Sequence, residues 1–203
     1  MHFHIKNIII RNFELIEWIG FLMKKGFFKR ILVNKFSLTS IVIVFIFFYF
    51  FRIGFSLGES MKPTFPNWAI QLDLKKYNEL ERFDIVTFHL DEQKYLKRII
   101  GLPGDHIAFI NDDLYINHEK IDEPHLLQYK QEVYHFVQLT LDFTLEDVTN
   151  EAVVPQGHYF VMGDNRRYST DSRDRSIGFV PQQNITSKTI AILAPFSEMK
   201  LLD

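Results

Sequence analysis

The sequence predicts a mainly β domain tethered by one N-terminal membrane-spanning helix, and three patterns in its 203 residues lead there. An uncharged, apolar run separates Lys35 from Arg52. Short β-branched and aromatic segments, punctuated by turn signals, fill the chain beyond residue 60. Charge divides sharply between the two parts. The run from Phe36 to Phe51 is dominated by Ile, Val and Phe. A helix needs about 20 residues to cross a bilayer core, so Arg52 is expected to snorkel while Ile53, Gly54 and Phe55 complete a span from about Phe36 to Phe55. A buried core helix or a removed signal-peptide segment are the alternatives. No small-residue cleavage site of the Ala-x-Ala kind follows, which favours a retained anchor.

The net charge of −2 conceals the division. From Met1 to Lys35 seven basic residues face two acidic ones, Glu14 and Glu17, whereas the chain beyond the run is acidic. By the positive-inside rule residues 1–35 are cytoplasmic and those after Phe55 extracytoplasmic, a single-pass topology in the cell membrane. Within residues 1–35, Ile8, Ile9, Ile10, Phe13, Ile16, Trp18, Ile19 and Leu22 alternate with charges, which suits an amphipathic helix on the membrane surface better than a second span. The acidic remainder argues against a nucleic-acid partner. The absence of cysteine excludes disulfides, thiolate metal sites and a thiol nucleophile. The eight histidines form no His-Glu-x-x-His pair, which disfavours a metalloprotease. Twelve of the 21 phenylalanines fall within the first 55 residues, so they mark the anchor and its leader more than a large core.

Strands are expected at residues 69–74, 84–90, 95–100, 105–110, 113–116, 158–162 and 189–193. Turns are expected at Leu102-Pro-Gly-Asp105, Asn111-Asp-Asp113, Pro155-Gln-Gly157 and Gly163-Asp-Asn165. The extracytoplasmic domain is thus residues 56–203, with a variable insert at about 118–155 where charged and apolar residues mix without a clear period.

Three segments carry chemical groups at suggestive spacing. Gly58-Glu-Ser-Met-Lys-Pro-Thr64 follows the apolar run directly; its serine, taken alone, is far more often an ordinary turn residue than a nucleophile. Tyr95-Leu-Lys-Arg-Ile-Ile-Gly-Leu-Pro-Gly-Asp105 places two adjacent cations in an apolar strand. Because successive strand side chains point to opposite faces, Lys97 and Arg98 cannot both reach water if the sheet is covered, and at least one needs a specific partner. Gly163-Asp-Asn-Arg-Arg-Tyr-Ser-Thr-Asp-Ser-Arg173 packs Asp, Asn, Arg and Ser densely enough for a hydrogen-bonded network.

Together with Arg82-Phe-Asp-Ile-Val-Thr-Phe88, these segments resemble the ordered sequence boxes of bacterial type I signal peptidases, over Phe36 to about Pro195. The compact insert and single anchor look more like the Gram-positive members. The resemblance implies a signal-peptidase-type β catalytic domain and a membrane-bound serine endopeptidase with a serine/lysine dyad. Position by position, it implies Ser60 as nucleophile, Lys97 as general base, and Ser169 as a hydroxyl that bonds and orients the lysine amine. It also implies an Asp171–Arg173 ion pair near the site and Asp164 as the partner of Arg98. The implied partners are signal peptides of exported preproteins, the lipid bilayer and the export machinery; no cofactor, metal or nucleic acid is implied. Shallow pockets for small residues at the first and third positions before the cut are implied as well. Met61, Ile85 and Phe88 are candidate pocket walls, though each is equally suited to the core.

A lysine acts as a base only when neutral, so Lys97 must titrate well below its usual 10.4 or so. Desolvation among Tyr95, Leu96, Ile99 and Ile100 is the expected cause, with no carboxylate in a neighbouring sequence position to hold the proton. The backbone N–H of Ser60 is the expected oxyanion donor. Some relatives carry a serine two residues before the nucleophile; here Gly58 stands there and offers backbone freedom instead. A second departure is Asp174-Arg-Ser-Ile177, longer than in some relatives. Two competing readings are another serine/lysine protease, such as a self-cleaving repressor, and an inactive membrane-tethered relative that binds preproteins. The anchor and the lack of a DNA-binding segment oppose the first; retention of both Ser60 and Lys97 opposes the second. Asn184-Ile-Thr186 is a formal glycosylation sequon, accidental in a bacterial chain.

Overall fold

The computed structural model describes residues 35–133 and 137–202. The expected amphipathic leader falls outside the described residues, apart from its last residue, Lys35. The chain divides into one unit ending at Tyr49 and another beginning at Phe50.

Helix α1 spans Lys35–Phe50, and its large apolar side chains from Leu38 to Phe50 are exposed. The expected span to Phe55 is corrected: the helix stops at Phe50, and residues Phe51–Ser56 form strand β1. Among the described residues no helix is long and apolar enough to cross a membrane. Strand pairing is what ends the helix, because Phe51 to Ser56 run antiparallel against Leu74 to Ala69. Arg52 does not snorkel; it donates to Asp73 at 3.2 Å and to Ser187 Oγ at 2.7 Å.

The remaining strands are β2 (Ala69–Leu74), β3 (Ile85–Leu90), β4 (Gln93–Gly101), β5 (Ile107–Ile110), β6 (Asp113–Ile116), β7 (Glu119–Ile121), β8 (Phe143–Thr144), β9 (His158–Met162), β10 (Val180–Pro181), β11 (Ile185–Ala194) and β12 (Lys200–Leu201). The larger sheet has the order β1-β2-β11-β3-β4-β9-β10, with β12 beside β11; the smaller has the order β7-β6-β5-β8. Every pairing is antiparallel. The seven expected strands are all present, with β11 longer than anticipated. Strands β7, β8, β10 and β12 were not anticipated, since two or three residues carry no period. The expected insert is itself structured: β7, helix α2 (Pro124–Val133), β8 and helix α3 (Leu145–Thr149) lie within it. A capping box between Thr144 and Asp147 starts α3.

Three apolar clusters fix the sheets around the site. Val86, Phe88, Ile99, Tyr159, Val161 and Ile185 pack on one face of the larger sheet. Met61, Phe65, Ala69, Ile85 and Ile192 form another cluster, with Ile85 opposite Arg98 on the sheet's other face. Ile100, Phe109, Leu114, Leu145, Phe160 and Met162 join β4 and β9 to the smaller sheet. Phe160 is central there, with its ring beside those of Phe143 and Phe179. Truncating it removes transfer free energy and leaves a cavity that these neighbours cannot fill. Phe160→Ala is expected to lower stability by about 3–5 kcal/mol in urea unfolding, with the midpoint reduced and the slope unchanged.

Candidate active site

Lys97 sits in β4 opposite Val86, and Arg98 opposite Ile85, so the two cations leave the strand on opposite faces. Both are buried, at 4 % and 5 % exposure, and each has its own partner. Lys97 Nζ lies 2.8 Å from Ser60 Oγ and also donates to the Leu96 carbonyl at 3.2 Å. On the other face Arg98 donates to both oxygens of Asp164, at 2.8 and 2.6 Å, and to the Phe83 carbonyl. Thr64 Oγ1 bridges Arg98 and Asp164.

The turn that presents Ser60 follows β1 and is pinned by Asn165, whose backbone N–H donates to the Ser60 carbonyl at 3.0 Å and whose amide donates to the Glu59 carbonyl at 3.1 Å. Gly163 permits this closeness: a Cβ there would collide with the Ser60 carbonyl oxygen and the Ser169 side chain. Gly58 has φ 106°, a left-handed conformation suited to glycine, and its N–H donates to Asn67 Oδ1. Among the described residues the Ser60 N–H has no hydrogen-bond partner.

Burial is the largest influence on Lys97 and pulls its amine down to about 8. Asp171 and Asp164, distant in sequence, oppose that shift without overcoming it. Asp171 is held by Arg173 through two bonds of 2.8 Å and accepts from the Gly163 N–H at 2.9 Å. Burial works against the charge of Asp164, but the adjoining Arg98 guanidinium prevails and keeps the carboxyl below its usual range. A serine hydroxyl in contact with a buried lysine whose amine is lowered to about 8 is an arrangement that can serve as a nucleophile with an adjacent base.

Several expectations need correction. Ser169 Oγ is buried without a hydrogen-bond partner, so the expected bond to the Lys97 amine is not made. Met61 and Ile85 are core residues, at 2 % exposure each, packed with Phe65 and Ala69. Phe88 is wholly buried and stacks on Tyr95 with ring centroids 5.3 Å apart. None of the three presents surface to an extended peptide. The segment 174–177 closes as a tight turn, with the Ile177 and Gly178 N–H groups donating to the Asp174 carbonyl. Asn165, Gly163 and Thr64 were quoted within the sequence boxes without a role. Glu123 and His125, which reach Arg166 and Asp164, carry no local sequence signal. Among the described residues no three His, Asp or Glu side chains gather closely enough to hold a metal ion.

The family described as "Signal peptidase, peptidase S26" matches residues 29–194. A signal peptidase I of Bacillus caldolyticus is 45 % identical over 145 residues, covering 70 % of this chain and 78 % of its own. Signal peptidase IB of Staphylococcus aureus is 36 % identical over 198 residues, covering 92 % and 93 %. The crystal structure of a signal peptidase I from Enterococcus faecalis superposes with a TM-score of 0.52 at 40 % identity, covering 56 % of this chain and 98 % of that one.

Removing Arg98 would leave the Asp164 carboxylate buried and uncompensated. Arg98→Ala is expected to cost about 3–5 kcal/mol in urea unfolding at pH 7, the range for breaking a buried ion pair.

Proposed function

We propose, from the premise that this chain belongs to the signal peptidase family, peptidase S26, that Ser60 is its nucleophile and neutral Lys97 its general base. The chain is a serine peptidase, a hydrolase, and cleavage of signal peptides is the activity of its family. The 2.8 Å approach of the Lys97 amine to Ser60 Oγ carries the assignment. Lys97 takes the hydroxyl proton as Ser60 attacks the scissile carbonyl, then returns it to the leaving amine; water repeats the cycle on the acyl-enzyme. A shift from 10.5 to about 8 corresponds to about 3 kcal/mol of differential destabilisation of the charged amine. The unpaired Ser60 N–H is available to the oxyanion, and Gly58 adds no side-chain donor. Ser169 lies against Gly163, and Asp171, held by Arg173, accepts from the Gly163 N–H; these three residues support the site.

The substrates are preproteins cut after small residues, bound extended as an added strand. Residues 1–35 form a cytoplasmic leader, the apolar segment around α1 the anchor, and the β domain with its insert the extracytoplasmic part. The continuous exposed apolar surface of α1 supports the anchor, as does the basic excess before it. One strand and one turn separate α1 from Ser60, which suits a cut where a signal peptide's apolar segment leaves the bilayer.

Incubating the detergent-solubilised chain with a model preprotein, and mapping the cut by mass spectrometry, tests this. Wild type is expected to cut after a small residue, whereas Ser60→Ala and Lys97→Ala lose at least a thousandfold in kcat/KM while remaining folded. Because the neutral amine is the active form, kcat/KM should rise with pH through a midpoint near 8. Near-normal turnover by Lys97→Ala at pH 8 would refute the dyad.

A further inference from the structure

Arg166 has no part in the proposed chemistry. Its side chain is fully buried, and four hydrogen bonds to three residues fix its guanidinium. Nε donates to the Gly163 carbonyl at 3.0 Å, Nη1 to Thr140 Oγ1 at 3.1 Å, and Nη1 and Nη2 to the two carboxylate oxygens of Glu123. Glu123 is 2 % exposed and sits between β7 and α2, inside the expected insert. It is braced in turn by Lys130 at 3.3 Å, which also meets Asp112, whose carboxylate accepts from the Leu139 and Thr140 N–H groups.

Gly163 is the point where this network meets the dyad. Its N–H is held by Asp171 and its carbonyl by Arg166. Glycine is the residue with the most backbone freedom, so pinning both sides of it has a purpose where close approach is needed. The missing Cβ is what admits the Ser60 carbonyl and the Ser169 side chain. A buried ion pair adds little stability over an apolar pair of the same shape, but it fixes geometry through directional bonds. We infer that Glu123 and Arg166 are positioning residues: the insert, through this ion pair, holds Gly163 where Ser60 and Lys97 meet in attacking geometry. This rests on the dyad assigned above. Displacing Gly163 by a fraction of an ångström would loosen the approach of Ser60 and admit water to the lysine, lowering kcat and returning the amine toward its ordinary titration.

The test uses the full chain in detergent micelles with a fluorogenic signal-peptide substrate. Glu123→Gln is expected to lower kcat at least tenfold with KM within twofold, and to move the acidic limb of the kcat/KM profile upward by at least half a pH unit. Glu123→Asp, which keeps the charge, should recover at least a third of the lost kcat. Lys120→Ala, which breaks the exposed Lys120–Asp113 pair of the same insert, should leave all parameters unchanged. If Glu123→Gln yields no folded protein, Thr140→Val carries the test, with at least a threefold loss of kcat and the same limb shift expected. A folded variant with a lowered Tm but unchanged kcat and pH limb overturns the positioning role. Full activity in Ser60→Ala measured alongside would instead overturn the dyad.

Discussion

Two adjacent cations inside one strand are the constraint around which the site is built. A strand sends Lys97 and Arg98 to opposite faces, and here both faces are covered. Burying a charge is costly unless it is compensated, so the two faces must solve the same problem separately. Arg98 takes a bidentate carboxylate, Asp164, with Thr64 bonded to both. The face of Lys97 instead supplies a hydroxyl and a carbonyl in place of an anion in direct contact. One face therefore compensates its cation with a carboxylate, while burial on the other lowers the lysine amine.

The rest of the domain brings partners to those two side chains. β3 and β9 flank β4 and set its register, so the segment after Met162 leaves the sheet beside the lysine. That segment sends Asp164 back to the arginine, Asn165 to the serine turn, Arg166 to the insert and Asp171 to the Gly163 N–H. Four residues of one loop thus connect both faces of β4, the serine turn and the insert.

Much of this was legible in the sequence because it is local. The strand alternation around Lys97 and Arg98 needed only the period of a β-strand, and the partner of Arg98 came with the resemblance. The end of α1 was not legible: Phe51 to Ser56 are apolar enough to continue a helix, and only their ladder with β2, closed by the Arg52–Asp73 pair, makes them a strand. Met61, Ile85 and Phe88 were equally suited to pocket or core by residue type, and packing across the sheet decided for the core. Glu123 was invisible because its partner lies 43 positions away and nothing near it marks a buried acid.

The two carboxylates that act on Lys97 bear on how a buried lysine amine stays lowered in a polar surrounding. Asp171 and Asp164 both favour the charged amine, and alone they would hold its proton. Each, however, is already engaged by an arginine: Asp164 by Arg98 and Asp171 by Arg173. A carboxylate paired with a guanidinium presents a dipole to a third charge, and a dipole's field falls off faster with distance than that of a net charge. Arg173 also acts directly on the lysine in the opposite sense. Desolvation is left as the dominant influence, and it favours the neutral amine. The ion pairs thus allow polar, directional scaffolding close to Ser60 and Lys97 while the amine stays lowered.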